Sequence, residues 1–257
     1  MSTDFIIQLY EIQTPQEAEL LVEMGVDHCG SVVLDAGRWK DAGLRETVRC
    51  VQKAGARSSL IPLCRHADTI LRTVDYYRPD ILHFCESIAD QDALGSALER
   101  QTAVRRACPQ LLLMRSLPIA PPGRADRIDT LALARQFEPV SDYFLTDTFF
   151  VDNSPNRDAN TSQPVPGYIG ITGCVCDWQT ARRLVTQSRI PVILAGGIGP
   201  QNVAAGIGAV RPAGVDSCTG TNAVNESGAA VRFRKDPQKV RELVRIVRQI
   251  QTEGKNE

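Results

Sequence analysis

Two glycine-bearing turns in the C-terminal third carry the residue types that hold a phosphate. The first reads Ile193-Leu194-Ala195-Gly196-Gly197-Ile198 and runs on through Gly199-Pro200, and the second reads Gly214-Val215-Asp216-Ser217-Cys218-Thr219-Gly220-Thr221. Glycine lets backbone N–H groups come close to an anion, and Ser217, Thr219 and Thr221 add hydroxyl donors. Either cluster alone is equally well explained as a tight strand-to-helix turn. Two of them, each closing an apolar run, point to a phosphate grip.

A second constellation is built from histidine and cysteine. His83 and Cys85 share one parity, so an extended segment points both the same way. With Cys64, His66 and Cys218 they offer ligand types that suit zinc. Cys174 and Cys176 are separated by one residue, without the spacing of a zinc knuckle, so these side chains are expected to be packed core residues with no metal. The alternative is Cys64 or Cys85 as a displaced nucleophile or base. Phe149-Phe150 could close over an aromatic or sugar ring, or could pin their own loop to the protein.

Positioning such groups requires a scaffold, and the chain alternates short apolar runs with helical patterns. The predicted strands are Phe5–Tyr10, His28–Leu34, Arg57–Cys64, Asp80–Phe84, Gln110–Ser116, Asp142–Thr146, Pro191–Ala195 and Gly214–Ser217. The predicted helices are Gln16–Met24, Leu44–Ala54, Ala67–Tyr77, Asp90–Ala107, Arg124–Phe137, Asp177–Gln187, Pro200–Val210 and Asp236–Gln251. Thr14-Pro15 is a capping pair for the first helix. Eight such units favour a closed parallel barrel over a doubly wound sheet, which would want a glycine-rich turn where Tyr10-Glu11-Ile12-Gln13 stands. The two glycine turns then follow strands seven and eight, where barrels commonly bind phosphate. One irregular stretch, 147–176, directly follows a strand and is expected to act as a lid.

The chain has 257 residues, enough for one barrel, and 43% of them are hydrophobic. Lys plus Arg (29) nearly equals Asp plus Glu (30), leaving a net charge of -1 and no electrostatic reason to expect nucleic acid. No apolar run is long enough to span a bilayer, and the N-terminus lacks the basic segment of a secretion signal. The expectation is a cytoplasmic protein whose eight cysteines stay reduced.

The tract PVILAGGIGPQNVAAGIGAVRPAGVDSCTGTNAV, followed by KDPQKVRELVRIV, resembles the last two strand–helix units of the phosphoribosylanthranilate isomerase family. Gly170-Ile171-Thr172-Gly173 with Asp177-Trp178 resembles that family's Gly-Gly-Thr-Gly turn and its following tryptophan. Fainter echoes lie in Thr14-Pro15-Gln16-Glu17-Ala18, Gly25-Val26-Asp27, Arg38-Trp39 and Pro79-Asp80-Ile81-Leu82-His83. The resemblance implies a barrel enzyme of tryptophan biosynthesis that needs no cofactor. Such an enzyme opens a ribosylamine ring and delivers an aminodeoxyribulose phosphate. An aspartate after strand six protonates the ring oxygen and matches Asp147. Arg38 matches an arginine that clamps the substrate carboxylate. A cysteine after strand one removes the C2 proton in the family, but Tyr10 stands in its place. Gln8, Glu11, His83 and Ile171 are further departures, all at the reacting end. Strand parity places Glu11 opposite Tyr10.

These readings combine into one expectation. The chain is an α/β protein, a single (β/α)₈ TIM barrel over 1–257, carrying out a cofactor-free aldose–ketose (Amadori-type) isomerisation. Asp147 is its acid and Tyr10 its base, while Arg38, His83, Gly173, Gly196, Gly197, Ser217, Thr219 and Gly220 hold the substrate and its phosphate. The partner is a small phosphorylated metabolite, with no nucleic acid or membrane, and the protein is a monomer or homodimer. Two alternatives stay open. One is a divergent phosphate-binding barrel doing another isomerisation or an aldolase-type step, with a metal at His83 and Cys85. The other is a non-catalytic barrel that binds a phosphometabolite.

Overall fold

In the computed structural model, which describes residues 5–124, 127–150 and 163–254, eight parallel strands close on one another in sequence order. They are β1 (Ile6–Leu9), β2 (His28–Val33), β3 (Arg57–Pro62), β4 (Ile81–Phe84), β5 (Leu112–Ile119), β6 (Tyr143–Thr148), β7 (Val192–Leu194) and β8 (Gly214–Ser217). The helices between and after them are α1 (Pro15–Glu23), α2 (Ala42–Lys53), α3 (Ala67–Tyr77), α4 (Gln91–Ala107), α5 (Thr130–Phe137), α6 (Trp178–Gln187), α7 (Val203–Val210) and α8 (Pro237–Glu253). Closure is made by β1 against β8, with Ile6 opposite Gly214 and Gln8 opposite Asp216. This is the predicted barrel.

Local chemistry explains where the helices begin. Asp41, Asp90, Asp129, Asp177 and Asp236 cap α2, α4, α5, α6 and α8, each accepting from a backbone N–H of the first turn. Thr14 caps α1 in the same way, with Pro15 in the first turn. Strand alternation then sorts the apolar residues into two layers. Val32, Ile61, Ile81, Met114, Leu145 and Ile193 fill the barrel interior. Leu60, Leu82, Leu113, Phe144 and Val215 face the helices.

Two departures from the predicted elements affect the mouth. β5 continues to Ile119 rather than stopping at Ser116, pairing with β6 as far as Thr148. Pro118 offers no N–H, but its carbonyl accepts from the Thr130 hydroxyl at 2.6 Å. α5 correspondingly starts at Thr130 rather than Arg124. The second departure is an antiparallel hairpin, β9 (Asn222–Val224) and β10 (Ala230–Lys235), between β8 and α8. Lys235, buried in β10, ties it down by donating to Asn222 Oδ1 at 2.6 Å and to the Cys218 carbonyl at 2.8 Å.

At the top of the interior, the Tyr10 ring lies flat on β2 at Gly30. A Cβ there would come within 2.2 Å of Tyr10 Cε1. Gly30→Ala should therefore destabilise the protein by about 1–3 kcal/mol through overpacking. The same substitution in a Tyr10→Ala background should cost much less. Denaturant titration of the four proteins checks this, and equal costs in both backgrounds would contradict it.

Candidate active site

Two adjoining cavities open at the C-terminal ends of the strands and share Asp147, Ile171, Asp216 and Cys218 in their walls. The smaller is polar and is built from three loops. Thr172-Gly173 comes from the segment before α6, Gly196-Gly197-Ile198 follows β7, and Thr219-Gly220 follows β8. The loops sit so close that only glycine fits. A Cβ at Gly197 would lie 2.6 Å from the Cys174 carbonyl carbon, and one at Gly220 would lie 2.3 Å from the Ile198 oxygen. Gly173, Gly196 and Gly197 also have positive φ (68°, 87° and 64°). Gly173, Gly196, Gly197, Thr219 and Gly220 are thus brought together as predicted from the sequence. Ser217 is not: it is buried and donates its hydroxyl to the Ile198 carbonyl at 2.7 Å, so it braces the cradle from behind. Thr221 is spent in the same way on the carbonyls of Ser217 and Cys218.

The larger cavity is a narrow space of about 60 Å³ that opens to solvent, and its walls are mainly apolar. Val32, Ile61, Leu63, Leu145, Val165 and Ile169 form a slot. The returning end of the 147–176 loop covers one side, with Ile169 N donating to the Cys85 carbonyl at 2.8 Å and Ser87 N to the Gly167 carbonyl at 2.9 Å. The expected lid includes residues 151–162, which lie outside the described residues. Phe149 and Phe150 are half-buried and do not line the slot.

Tyr10 points inward as its position implied, but its chemistry is wrong for a base. Its hydroxyl lies 2.5 Å from Ser59 Oγ and 2.6 Å from His83 Nδ1. Burial above all drives it well above the ordinary tyrosine pKa, and the charge of Asp216 adds to the rise. His83 also lines the slot, with its other nitrogen 2.7 Å from Ser116 Oγ. Burial, with Arg115 nearby, lowers His83 to about 3, so it is neutral and occupied at both nitrogens. The Ser59–Tyr10–His83–Ser116 chain is a rigid wall.

Two charged residues depart from expectation. Arg38 is turned out to solvent with its side chain 89% exposed, paired to Asp35 at 3.0 Å, and lines neither cavity. Glu11 does the reverse. Strand parity assigned it to the other face, but β1 ends at Leu9, and Glu11 adopts φ 69°, which turns its carboxylate into the mouth. There it accepts from Arg232 Nε at 2.6 Å and from Phe233 N at 3.4 Å, joining the mouth to β10. Arg232 lines the slot, and no other arginine or lysine does so among the described residues. Sequence reasoning missed it because the hairpin itself was missed.

The carboxyls of Asp147 and Asp216 stand where the cavities meet. Asp147 ends β6 and accepts from the N–H of Thr148 at 2.8 Å. Burial raises it to about 7, against the pull of that hydrogen bond. Gly170 (φ 99°) makes its room, since a Cβ there would lie 2.1 Å from Asp147 Oδ2. The next residue, Ile171, has φ 63°, a costly conformation for a β-branched side chain. Asp216 was overlooked among the glycines and hydroxyls of its turn. Its signal was an acid on the inward parity of a buried strand. Burial, and then the charge of Asp147, raise it to about 8. Among the described residues no group of three or more His, Cys, Asp or Glu is placed to hold a metal ion. No described helix is long and apolar enough to cross a membrane.

Raised carboxyl pKa values carry a sign. Unfolded aspartate titrates near ~3.9, so between about pH 4 and pH 8 these two carboxyls bind more protons in the folded chain than in the unfolded one. The stability linked to these groups is complete below about pH 4 and is lost as the pH climbs through the folded values. Asp147→Asn should therefore lose less unfolding free energy than the wild type on going from acid to alkaline buffer. Denaturation curves across that range decide it, and an equally steep loss in the variant would contradict the assignment.

The family model described as N-(5'phosphoribosyl)anthranilate (PRA) isomerase matches residues 112–245. An N-(5'-phosphoribosyl)anthranilate isomerase of Methanothrix thermoacetophila is 26% identical over 248 residues, covering 95% of this chain and 99% of the relative. That of Methanocella arvoryzae is 32% identical over 145 residues, 56% of this chain and 54% of the relative. Among solved structures, mutually generated monomers of the dimeric phosphoribosylanthranilate isomerase of Thermotoga maritima align with TM-score 0.65 and 16% identity. That alignment covers 95% of this chain and 99% of the other, and at that identity it speaks for the fold alone.

Proposed function

The chain belongs to the N-(5'-phosphoribosyl)anthranilate isomerase family, and on that premise we propose that it carries out the family's carbonyl–amine rearrangement through the residues of its two-cavity mouth. Asp147 is the general acid. This is the observation that carries the reading: a carboxyl at the junction of a polar cradle and an apolar slot, kept partly protonated near neutrality by burial. Only a neutral carboxyl can donate to a ring oxygen, and an acid whose pKa lies near the working pH does so most effectively.

The rest of the mouth suits the two ends of such a substrate. Backbone N–H groups around Gly173, Gly196, Gly197 and Gly220, with Thr219, offer an anion the close approach that a phosphate needs. The apolar slot accepts a planar aromatic ring, and Arg232, which is paired with Glu11 through one edge of its guanidinium, is the cation nearest to its carboxylate in place of Arg38. The single domain acts without a cofactor on a small phosphorylated metabolite in the cytoplasm, as a monomer or homodimer. The loop over 147–176 screens the reacting atoms from water, a role supported by the contacts of its returning end with the residues after β4.

Turnover of N-(5'-phosphoribosyl)anthranilate by the wild type and by Asp147→Asn tests the proposal. The variant should lose about 10²–10⁴-fold in kcat while still binding inorganic phosphate. Phosphate binding without wild-type turnover would sink the isomerase reading and leave a barrel that only binds. Full activity in Asp147→Asn would move the acid elsewhere.

A further inference from the structure

The isomerisation needs a base at C2, and the mouth contains several groups that cannot serve. Tyr10 and His83 are locked to each other and to Ser59 and Ser116. Glu11 is held by Arg232 and Phe233 N. Cys218 and Cys85 are thiols that burial, the largest influence on each, keeps protonated. Asp216 differs from all of these. It is 5% exposed, it forms part of both cavity walls, and its Oδ1 is buried with no hydrogen-bond partner. A buried carboxylate oxygen left without a donor is costly, and it is also free to accept a proton from a bound molecule.

Its position is also suitable. Asp216 is the register partner of Gln8 on β1, two residues before Tyr10, so β8 brings a carboxyl beside the strand end where the family carries its cysteine. We propose that Asp216 is the general base that takes the C2 proton, working as a pair with Asp147. This role rests on the isomerase reading above.

The groups that bear on Asp216 support the pairing. Asp147 on β6 raises it, while Gln8 on β1 and Lys235 on β10 pull the other way. Tyr10 and Cys218 face it and are held protonated in part by its charge. Two like charges at one cavity favour a state that holds a single proton shared between them, and the reaction starts from the form that has it on Asp147. Asp147 gives its proton to the ring oxygen as the C1–O bond breaks, and the nitrogen lone pair forms C=N. Asp216 then takes the C2 proton. The C–H electron pair becomes the C1=C2 bond, and the C=N π pair returns to nitrogen. Transfer of a proton from the C2 hydroxyl to C1 completes the ketone. The pair ends with one proton, as it began, on the other member.

The test compares wild type, Asp216→Asn and Asp216→Ala for kcat, KM, pH profile and inorganic phosphate binding. In Asp216→Asn, kcat should fall about 10²–10⁴-fold with phosphate binding kept. The acidic limb of the kcat/KM profile, which reports the base, should flatten while the alkaline limb from Asp147 remains. Formate should restore part of the activity of Asp216→Ala but not of Asp216→Asn, whose amide fills the space. An Asn variant that keeps most of its kcat overturns the role. So does a loss confined to KM or phosphate binding with the acidic limb unmoved. In both cases the isomerase reading survives. A wild type without turnover overturns that reading and this role together.

Discussion

Two carboxyl groups, Asp216 buried and Asp147 half-buried, stand at the point where two cavities meet, and much of the mouth is organised around that constraint. An aspartate in solution is ionised at neutral pH and cannot act as an acid. Asp147 and Asp216 face spaces walled by Leu145, Ile171 and Cys218, so the charged form of each is disfavoured. The charge of Asp147 further discourages ionisation of Asp216. In the proposed reaction an acid and a base come from one residue type, with position rather than identity setting them apart.

Keeping carboxyls there imposes demands on the backbone. Gly170 leaves space for the Asp147 oxygens, and Ile171 takes up a left-handed conformation to turn the loop past them. On the other side, Glu11 leaves the strand conformation so that Arg232 can be brought over the mouth from β10. Tyr10 needs a glycine at position 30, and its hydroxyl is satisfied by Ser59 and His83. The left-handed Glu11 and Ile171 and the Ser59–Tyr10–His83 bonds thus lie at the mouth, while the outward faces of the strands are packed with ordinary aliphatic side chains.

The scaffold was legible from the sequence because its signals are local. Apolar runs, helical periodicity and the Thr14-Pro15 cap place the eight strands and eight helices, all but the start of α5 to within a few residues, and α3 falls on Ala67–Tyr77 as the periodicity predicts. The polar cavity proposed to hold phosphate was legible for the same reason, since Gly196, Gly197, Thr219 and Gly220 lie in two short tracts. What was not legible depends on non-local packing. Ser217 has the right chemistry and the wrong direction, and Arg38 has a matching neighbourhood but an outward loop. Glu11 defeats the parity rule because the strand ends two residues before it. Arg232 enters from a hairpin whose short strands carry no clear alternation, and Asp216 shows its environment only when β8 closes on β1.

The ionisation of the carboxyl pair tests this account most directly, and carbon-13 NMR titration of the aspartate side chains reads it without substrate. Resonances assigned through Asp147→Asn and Asp216→Asn are followed across the acid-to-alkaline range. The account predicts two coupled titrations well above ordinary aspartate, near ~3.9, with one proton retained by the pair around neutrality. Each should also shift downward when the other carboxyl is removed. Both groups titrating independently near the ordinary value would contradict it.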